Sequence, residues 1–291
     1  MLMTLAMLGF ALEDMLIKQM SAGMPVGQAI VLMSLGGVLI FGAIALSKGE
    51  QILHRDLLQP AMIIRNLAEV VGIVGFVSAI VLTPLSTASA ILQATPLVVT
   101  LGAALIFGEP VGWRRWTAIL VGLFGVLLII RPGMEGFEPR SLFAVLGVLG
   151  LAARDLATQR VTQSVSTLVI SFYAFGTSII GGFALLALGV SGSTWVVPGS
   201  TDMWRLILAM FIGFGAYYAI VSSTRIGEIS IIAPFRYTRL VFALILGVLA
   251  FDERPDALTL TGAVIIVTSG VYTLWREARL RRASKPNDAA L

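Results

Sequence analysis

Apolar residues dominate ten stretches of the chain, and short polar or Pro/Gly-containing segments separate one stretch from the next. Each stretch has about the 20 residues that a helix needs to cross the hydrocarbon core of a bilayer. The pattern therefore predicts an all-α membrane protein with ten transmembrane helices. The predicted spans are roughly 1–20, 25–46, 60–82, 86–107, 113–131, 141–161, 167–188, 203–224, 229–251 and 257–275.

The segments between the spans are short. The largest are Ser47–Gln59, Pro132–Arg140 and Gly189–Asp202, and none is long enough for a soluble domain. The first span has no basic segment before it and carries Glu13 and Asp14 inside its apolar run. We therefore interpret it as a retained helix and not as a cleaved signal peptide.

Composition strengthens this prediction and excludes several classes of function. Of the 291 residues, 57% are hydrophobic and 12% are charged, and the mean hydropathy is +0.95. Soluble domains carry about 25% charged residues, so a soluble globule, a disordered chain and a nucleic-acid-binding module are all disfavoured. The chain has no cysteine, and its single histidine, His54, lies in a polar segment. We therefore expect no disulfide, metal site or cofactor. The spans also contain no pattern typical of an intramembrane enzyme.

The distribution of Lys and Arg predicts the orientation in the membrane. If the N-terminus is cytoplasmic, eleven of these residues lie in the inner segments and the tail, and five lie at the outer ends. Basic residues collect on the cytoplasmic side of membrane proteins. We therefore expect a multi-pass protein of the bacterial inner membrane with both termini cytoplasmic and a basic cytoplasmic tail at 276–291.

The two halves of the chain resemble each other. Gly9–Asp14 aligns with Gly150–Asp155, and Phe107-Gly108-Glu109 aligns with Phe251-Asp252-Glu253, with offsets that grow only from 141 to 144 residues. This similarity predicts two five-helix repeats, 1–135 and 141–275. Because five is odd, the repeats enter the membrane in opposite orientations, an arrangement typical of transporters with a site between the repeats near the midplane.

The ten spans, the duplication and one motif together resemble a known family. The motif consists of Ser86–Ala90, Pro96 and Phe107–Glu109, followed by a span that contains Gly-Val. It resembles that of the EamA-type carriers of the drug/metabolite transporter superfamily. The resemblance implies secondary transport without ATP through a central cavity lined by helices 1, 3, 4, 6, 8 and 9. The chain departs from the family where Leu240 replaces the proline expected midway along the ninth helix.

Charged residues inside the spans require partners, because a charge at the bilayer centre costs at least ~2.5–3.5 kcal/mol. Arg65 and Glu69 are four residues apart, as are Asp14 and Lys18, so both pairs are predicted to form along one helix face. A structural role explains both pairs better than a role in substrate binding. Glu109 and Glu253, which close repeat-equivalent helices, are predicted either to cap a following helix or to act in gating.

The remaining charges predict a binding site. Arg236 and Arg239 share one helix face and need acids from other helices, for which Glu13 and Asp155 are the candidates. The excess positive charge would suit a carboxylate, a phosphate or a polarised carbonyl of a substrate. A permanent salt-bridge network that only joins the two halves is the alternative. The predicted substrate-binding residues are Glu13, Gln93, Arg154, Asp155, Tyr217, Arg236, Tyr237 and Arg239, and the proton-coupling candidates are Glu13, Glu69 and Asp155.

Arginine and tyrosine together suit a flat heteroaromatic or an amphoteric ligand. The leading hypothesis is a secondary transporter that moves a small organic metabolite by alternating access, with proton coupling as an option. The family resemblance suggests uptake of riboflavin or a similar vitamin; export of amino acids or drug-like metabolites is the alternative. A channel or a non-transporting scaffold is the hypothesis from another class. The expected partners are a small-molecule substrate and membrane lipid. The sequence does not distinguish a monomer from a homodimer.

Overall fold

The structure is a computed structural model that describes residues 1–53, 55–109, 111–162, 164–226 and 233–283. Within these ranges the chain consists of α-helices, short 3-10 turns and connecting segments, without a strand. His54 and residues 284–291 of the predicted basic tail lie outside the described residues. The helices are α1 (Leu2–Met20), α2 (Val26–Ser47), α3 (Pro60–Leu82), α4 (Leu85–Leu92), α5 (Thr95–Phe107), α6 (Trp113–Ile130), α7 (Leu142–Thr158), α8 (Thr167–Ala187), α9 (Ser200–Ile226), α10 (Thr238–Phe251) and α11 (Ala257–Ala283).

The described helices account for the predicted spans. Nine helical segments are long and apolar enough to cross a membrane, with α4 and α5 forming one of them. Helix α1 supplies the tenth: it is 19 residues long, and it carries Glu13, Asp14 and Lys18 within an otherwise apolar run. The predicted all-α membrane fold is therefore confirmed. Helix α11 continues to Ala283 instead of ending at 275, because the basic residues that follow are good helix formers.

The fourth span is interrupted, and the described part of the ninth span begins with a 3-10 turn at the equivalent position. Helix α4 ends at Leu92 and α5 begins at Thr95, with Pro96 in its first turn, where a missing backbone N–H costs nothing. In the ninth span a 3-10 turn, Ala233–Tyr237, precedes α10, so Pro234 lies before the helix. The predicted start of a helix at 229 lies outside the described residues, and within them the α-helix of this span begins at Thr238.

The helices of the two halves pack against each other in a reciprocal pattern. Helix α1 packs on α9 and α3 packs on α7; α2 pairs with α8, α4 with α10 and α6 with α11. If the second half repeats the first, a twofold rotation exchanges the α1–α9 contact with the α3–α7 contact. The same rotation maps the α2–α8, α4–α10 and α6–α11 contacts onto themselves. The packing is therefore compatible with an inverted repeat, while the repeat boundaries 1–135 and 141–275 stay predictions.

Glycines bring α3 and α7 into direct backbone contact. A Cβ atom added to Gly150 would lie 2.4 Å from the backbone N of Gly72, and one added to Gly75 would lie 2.3 Å from the N of Gly147. Membrane helices associate through such small residues because lipid supplies no hydrophobic drive between them. The close crossing places Glu69 of α3 beside the charged end of α7.

Candidate substrate site

A cavity of about 380 Å³ lies between the two halves, halfway along the helices. Its walls come from α1, the α4–α5 break, α7, the turn before α10, and α11. Glu109, Arg115 and Gln159 lie at helix ends on the face that holds the N-terminus and form its mouth. Its volume falls within the range of small-molecule sites, about 300–1,000 Å³. The polar lining residues are Gln93, Thr95, Thr100, Glu109, Arg115, Arg154, Asp155, Gln159, Arg236, Tyr237 and Arg239.

Arg239 on α10 forms a salt bridge with Asp14 on α1. Its Nη2 lies 2.6 Å and its Nε 3.2 Å from Oδ2 of Asp14, so the carboxylate accepts two charge-assisted hydrogen bonds. The guanidinium carbon also lies 5.4 Å from the ring centroid of Phe10 and 5.5 Å from that of Phe76. Asp14 is only 4% exposed, so this pair joins α1 to α10 in a low-dielectric setting.

Two predicted pairings at this point are wrong. Lys18 does not pair with Asp14 but lies 3.5 Å from Glu253, while Asp14 takes Arg239. Glu13 does not neutralise Arg236 or Arg239, since no salt bridge joins them. The reason is rotational: adjacent residues on a helix point about 100° apart, and the packing of α1 directs Asp14, not Glu13, toward α10.

Glu13 instead faces α9. A Cβ atom added to Gly213 would lie 2.7 Å from Oε1 of Glu13, so the carboxylate occupies the space that the missing side chain leaves. Among the described residues Glu13 has no salt-bridge or hydrogen-bond partner. It does not line the central cavity.

Arg154, Asp155 and Glu69 form a second charged group on the α7 side. The predicted local pair of Arg65 and Glu69 is confirmed, with Nη2 of Arg65 2.8 Å from Oε2 of Glu69. The other oxygen of Glu69 lies 3.2 Å from Nη1 of Arg154. Arg154 also contacts its neighbour Asp155, whose carboxylate is 2.7 Å from Nη2. The expected contact of Asp155 with Arg236 or Arg239 is absent among the described residues, because the Asp155 carboxylate pairs with Arg154 instead.

The two helix breaks meet at Gln93. Its side-chain amide donates to the backbone oxygen of Arg236 at 3.3 Å, so a side chain beside the first break satisfies a backbone group of the turn before α10. The Arg236 side chain itself is exposed and lines the cavity. No carboxylate of the described residues lies within salt-bridge distance of its guanidinium.

The predicted tyrosines divide between two environments. Tyr237 borders the cavity but is buried, and its hydroxyl packs against Gly270 on α11 with no hydrogen-bond partner in the described part of the chain. Tyr217 does not line the cavity: its hydroxyl contacts Ser171 on α8, and its ring makes an edge contact with Phe41, with centroids 5.1 Å apart. Of the eight residues predicted to bind substrate, six therefore meet at one cavity, while Glu13 and Tyr217 lie outside its lining.

Sequence reasoning missed several residues at this site. Phe10 and Met7 line the cavity wall beside Arg239, and Glu109 and Arg115 form its mouth. A helical projection of α1 carries a signal, because Met7, Phe10 and Asp14 recur at intervals of three and four residues on one face.

The sequence profile of the EamA-like transporter family matches residues 1–131 and 140–275 of the chain. The chain belongs to the EamA-like transporter family. The resemblance inferred from the motif of the fourth span is thereby confirmed, and this EamA protein is a multi-pass membrane protein.

Relatives of this EamA protein transport small molecules. It is 26% identical over 242 residues to the S-adenosylmethionine uptake transporter of Rickettsia prowazekii, covering 83% of this chain and 78% of that protein. It is 29% identical over 274 residues to the pseudopaline exporter CntI of Pseudomonas aeruginosa, covering 92% and 93%. It is 28% identical over 228 residues to the riboflavin transporter of Rhizobium johnstonii, covering 76% and 73%. The predicted function as a small-molecule transporter is confirmed, and these names indicate a transporter and not an enzyme.

A solved crystal structure shares the fold of this EamA protein. The two superpose with a TM-score of 0.54 at 18% sequence identity, and the match covers 94% of this chain and 98% of that chain. At this identity the likeness concerns the fold alone.

Proposed function

We propose that this EamA protein carries a small amphoteric metabolite across the bacterial inner membrane by alternating access through the central cavity. The cavity opens toward the face that holds the N-terminus, which the distribution of basic residues places in the cytoplasm. A cavity with its mouth at one face supports a carrier over a channel, because a channel needs a continuous path.

The exposed guanidinium of Arg236 is the observation that carries the substrate proposal. An unpaired cation inside the membrane is costly in free energy. A substrate that brings a negatively charged or strongly polarised group to this guanidinium therefore binds favourably. Asp155, whose side chain is 33% exposed, offers an anion on the opposite wall. A solute with a carboxylate and a cationic or hydrogen-bond-donating part complements both walls.

The aromatic and apolar lining supports a substrate larger than a simple amino acid. Phe10, Met7 and Val99 border the same space as the arginines. The relatives named for S-adenosylmethionine, pseudopaline and riboflavin are the reason to test amino-acid-like, metallophore-like and vitamin substrates first. Riboflavin uptake stays the specific prediction from sequence, and an amino-acid-like zwitterion is the alternative that the paired charges favour.

A binding screen on the purified protein tests the substrate proposal. We expect thermal stabilisation by amino-acid-like or heteroaromatic amphoteric compounds, and a dissociation constant at least tenfold higher in Arg236→Gln than in the parent. Arg140→Gln is the matched control, because Arg140 is exposed on the opposite face and lies outside the cavity lining. Equal stabilisation of the parent and of Arg236→Gln by the best compound would show that the substrate binds elsewhere.

Proton coupling through Glu13 forms the second part of the proposal. Glu69 and Asp155 each form a salt bridge with Arg154. Glu13 has no such partner among the described residues and lies next to Asp14, roughly 18 Å along α1. Of the three candidates, Glu13 therefore suits reversible protonation best.

Proteoliposomes test the coupling. We expect a pH gradient to drive substrate accumulation in the parent, and Glu13→Gln to retain substrate exchange while losing accumulation. Glu138→Gln, which changes an exposed acid of a loop, should behave as the parent. Uptake by the parent that ignores the pH gradient would contradict proton coupling but leave the substrate proposal standing.

A further inference from the structure

A second cavity, of about 220 Å³, lies at the face opposite the mouth of the central cavity. Thr83, Ser86 and Glu253 line it together with loop residues of that face. Helix α4 separates the two cavities: Ser86 borders the outer one and Gln93 the central one, which corresponds to about 10 Å along the helix axis. A substrate that leaves through the opposite face must pass this barrier.

Glu253 closes the barrier by capping α4. Its Oε1 lies 2.5 Å from the backbone N of Leu85, and its Oε2 lies 3.0 Å from the N and 2.7 Å from the Oγ of Ser86. The first N–H groups of a helix have no partner within it, and a carboxylate placed there accepts their hydrogen bonds. Glu253 follows α10 in the second half of the chain, whereas α4 belongs to the first half, so this contact joins the two halves.

Lys18 strengthens the same contact from α1. Its Nζ lies 3.5 Å from Oε1 of Glu253 and donates a hydrogen bond of 2.5 Å to the backbone oxygen of Thr83. The Glu253 side chain is 8% exposed, so these charges interact with little solvent screening. Helices α1, α4 and α10 thus converge on one carboxylate.

The repeat-equivalent acid, Glu109, has the same local backbone but a different environment. Gly108 follows the last residue of α5 with φ +66°, and Glu109 N donates to Ala103 O. Asp252 follows the last residue of α10 with φ +52°, and Glu253 N donates to Gly247 O. The side chain of Glu109 nevertheless is exposed at the mouth of the central cavity. Glu253 therefore caps a helix at the closed face, whereas its equivalent Glu109 is exposed at the open face.

We propose that Glu253, bound to the α4 N-terminus and to Lys18, is the gate that closes the central cavity at the face opposite the N-terminus. Release of Glu253 frees α10 from α4 and opens that face. The proposal rests on the alternating-access cycle proposed above and is independent of the choice of substrate.

Accessibility of a single introduced cysteine tests the gate, because the natural chain contains none. Leu92→Cys places a thiol in the wall of the central cavity. In membrane vesicles of both orientations, a membrane-impermeant methanethiosulfonate reagent should label it quickly from the N-terminal face and slowly from the other. Adding Glu253→Gln should increase the labelling rate from the opposite face at least tenfold.

Glu138→Gln is the matched control for the lost charge. Glu138 borders the same outer cavity, but its carboxylate accepts a hydrogen bond from the backbone of Arg140 in its own loop. We expect no change in the labelling of Leu92→Cys. If Glu253→Gln folds poorly, Ser86→Ala removes one of the three hydrogen bonds and should shift the labelling in the same direction by a smaller factor.

A reversible cross-link tests the same gate in the closed direction. A Cβ atom added to Gly247 would lie 3.7 Å from the Cβ of Ser86, within the range found in disulfides. It would also lie 2.6 Å from Oε2 of Glu253, so the carboxylate must shift and the cross-link itself holds α4 against α10. Oxidation of the Ser86→Cys/Gly247→Cys protein should reduce transport below a tenth of that of the reduced protein, and a reductant should restore it. Ser86→Cys alone should transport at the same rate before and after the oxidant is added.

The outcomes separate the gate from the cycle on which it rests. Unchanged labelling in Glu253→Gln, or full transport by the oxidised double-cysteine protein, would overturn the gate. Labelling of Leu92→Cys from one face only, even during turnover with substrate on both sides, would contradict alternating access and therefore also the gate.

Discussion

The glycine contact between α3 and α7 allows a quantitative prediction for Gly150→Ala. The new Cβ would lie 2.4 Å from the backbone N of Gly72 and 2.6 Å from its Cα, where ordinary contacts begin at 3.4 Å. Both atoms belong to the backbone, so no side chain can rotate away. The helices must therefore separate by about 1 Å at this point.

The energetic cost follows from that separation. A gap of about 0.5–1 Å removes a quarter to a half of the dispersion energy of each contact, and overpacking of this kind costs about 1–3 kcal/mol. Replacing a helical glycine returns about 0.5–1 kcal/mol through the entropy of the unfolded chain. We expect a net loss of stability of about 1 kcal/mol. Transport should fall as well, because Nη1 of Arg154 lies 3.2 Å from Oε1 of Glu69 across the same crossing.

Unfolding of the purified protein in detergent, followed by tryptophan fluorescence, measures the effect. Gly176→Ala on α8 is the control, because no atom lies within 4 Å of the added Cβ. This variant should gain about 0.5–1 kcal/mol. The reasoning is refuted if Gly150→Ala proves as stable as Gly176→Ala.

Two further predictions concern ion pairs. Asp14→Asn and Arg239→Gln should each lower the free energy of unfolding by about 3 kcal/mol, because each leaves a buried charge unpaired. A double-mutant cycle should yield a coupling energy of about 2 kcal/mol between the two residues. Additive losses in the double mutant would contradict the salt bridge. A hydrogen bond from the side chain of Arg131 lowers the pKa of Asp256 from its ordinary 3.8 to about 2. This pair stabilises the folded protein above pH ~4 and loses its effect as the pH falls through about 2. Because Asp256 is half exposed, the difference in stability between the parent and Asp256→Asn should stay under ~1 kcal/mol and vanish near pH 2; a difference that is constant with pH would contradict it.

The sequence by itself determined the features that depend on neighbouring residues. Apolar runs of about 20 residues specify the spans, because any segment of that kind lowers its free energy by entering the bilayer as a helix. The pair of Arg65 and Glu69 was predictable for the same reason, since the i,i+4 spacing places both side chains on one face whatever surrounds the helix.

Only the tertiary structure decided which charges meet across helices. Glu13 and Asp14 are adjacent in sequence, and their separate fates depend on how α1 is rotated against α9 and α10. Asp14 lies at the favoured i,i+4 spacing from Lys18, yet Lys18 pairs with Glu253 from the other half of the chain. A partner brought close by packing outweighs one offered by spacing, because a carboxylate that caps a helix also satisfies backbone groups that have no other acceptor.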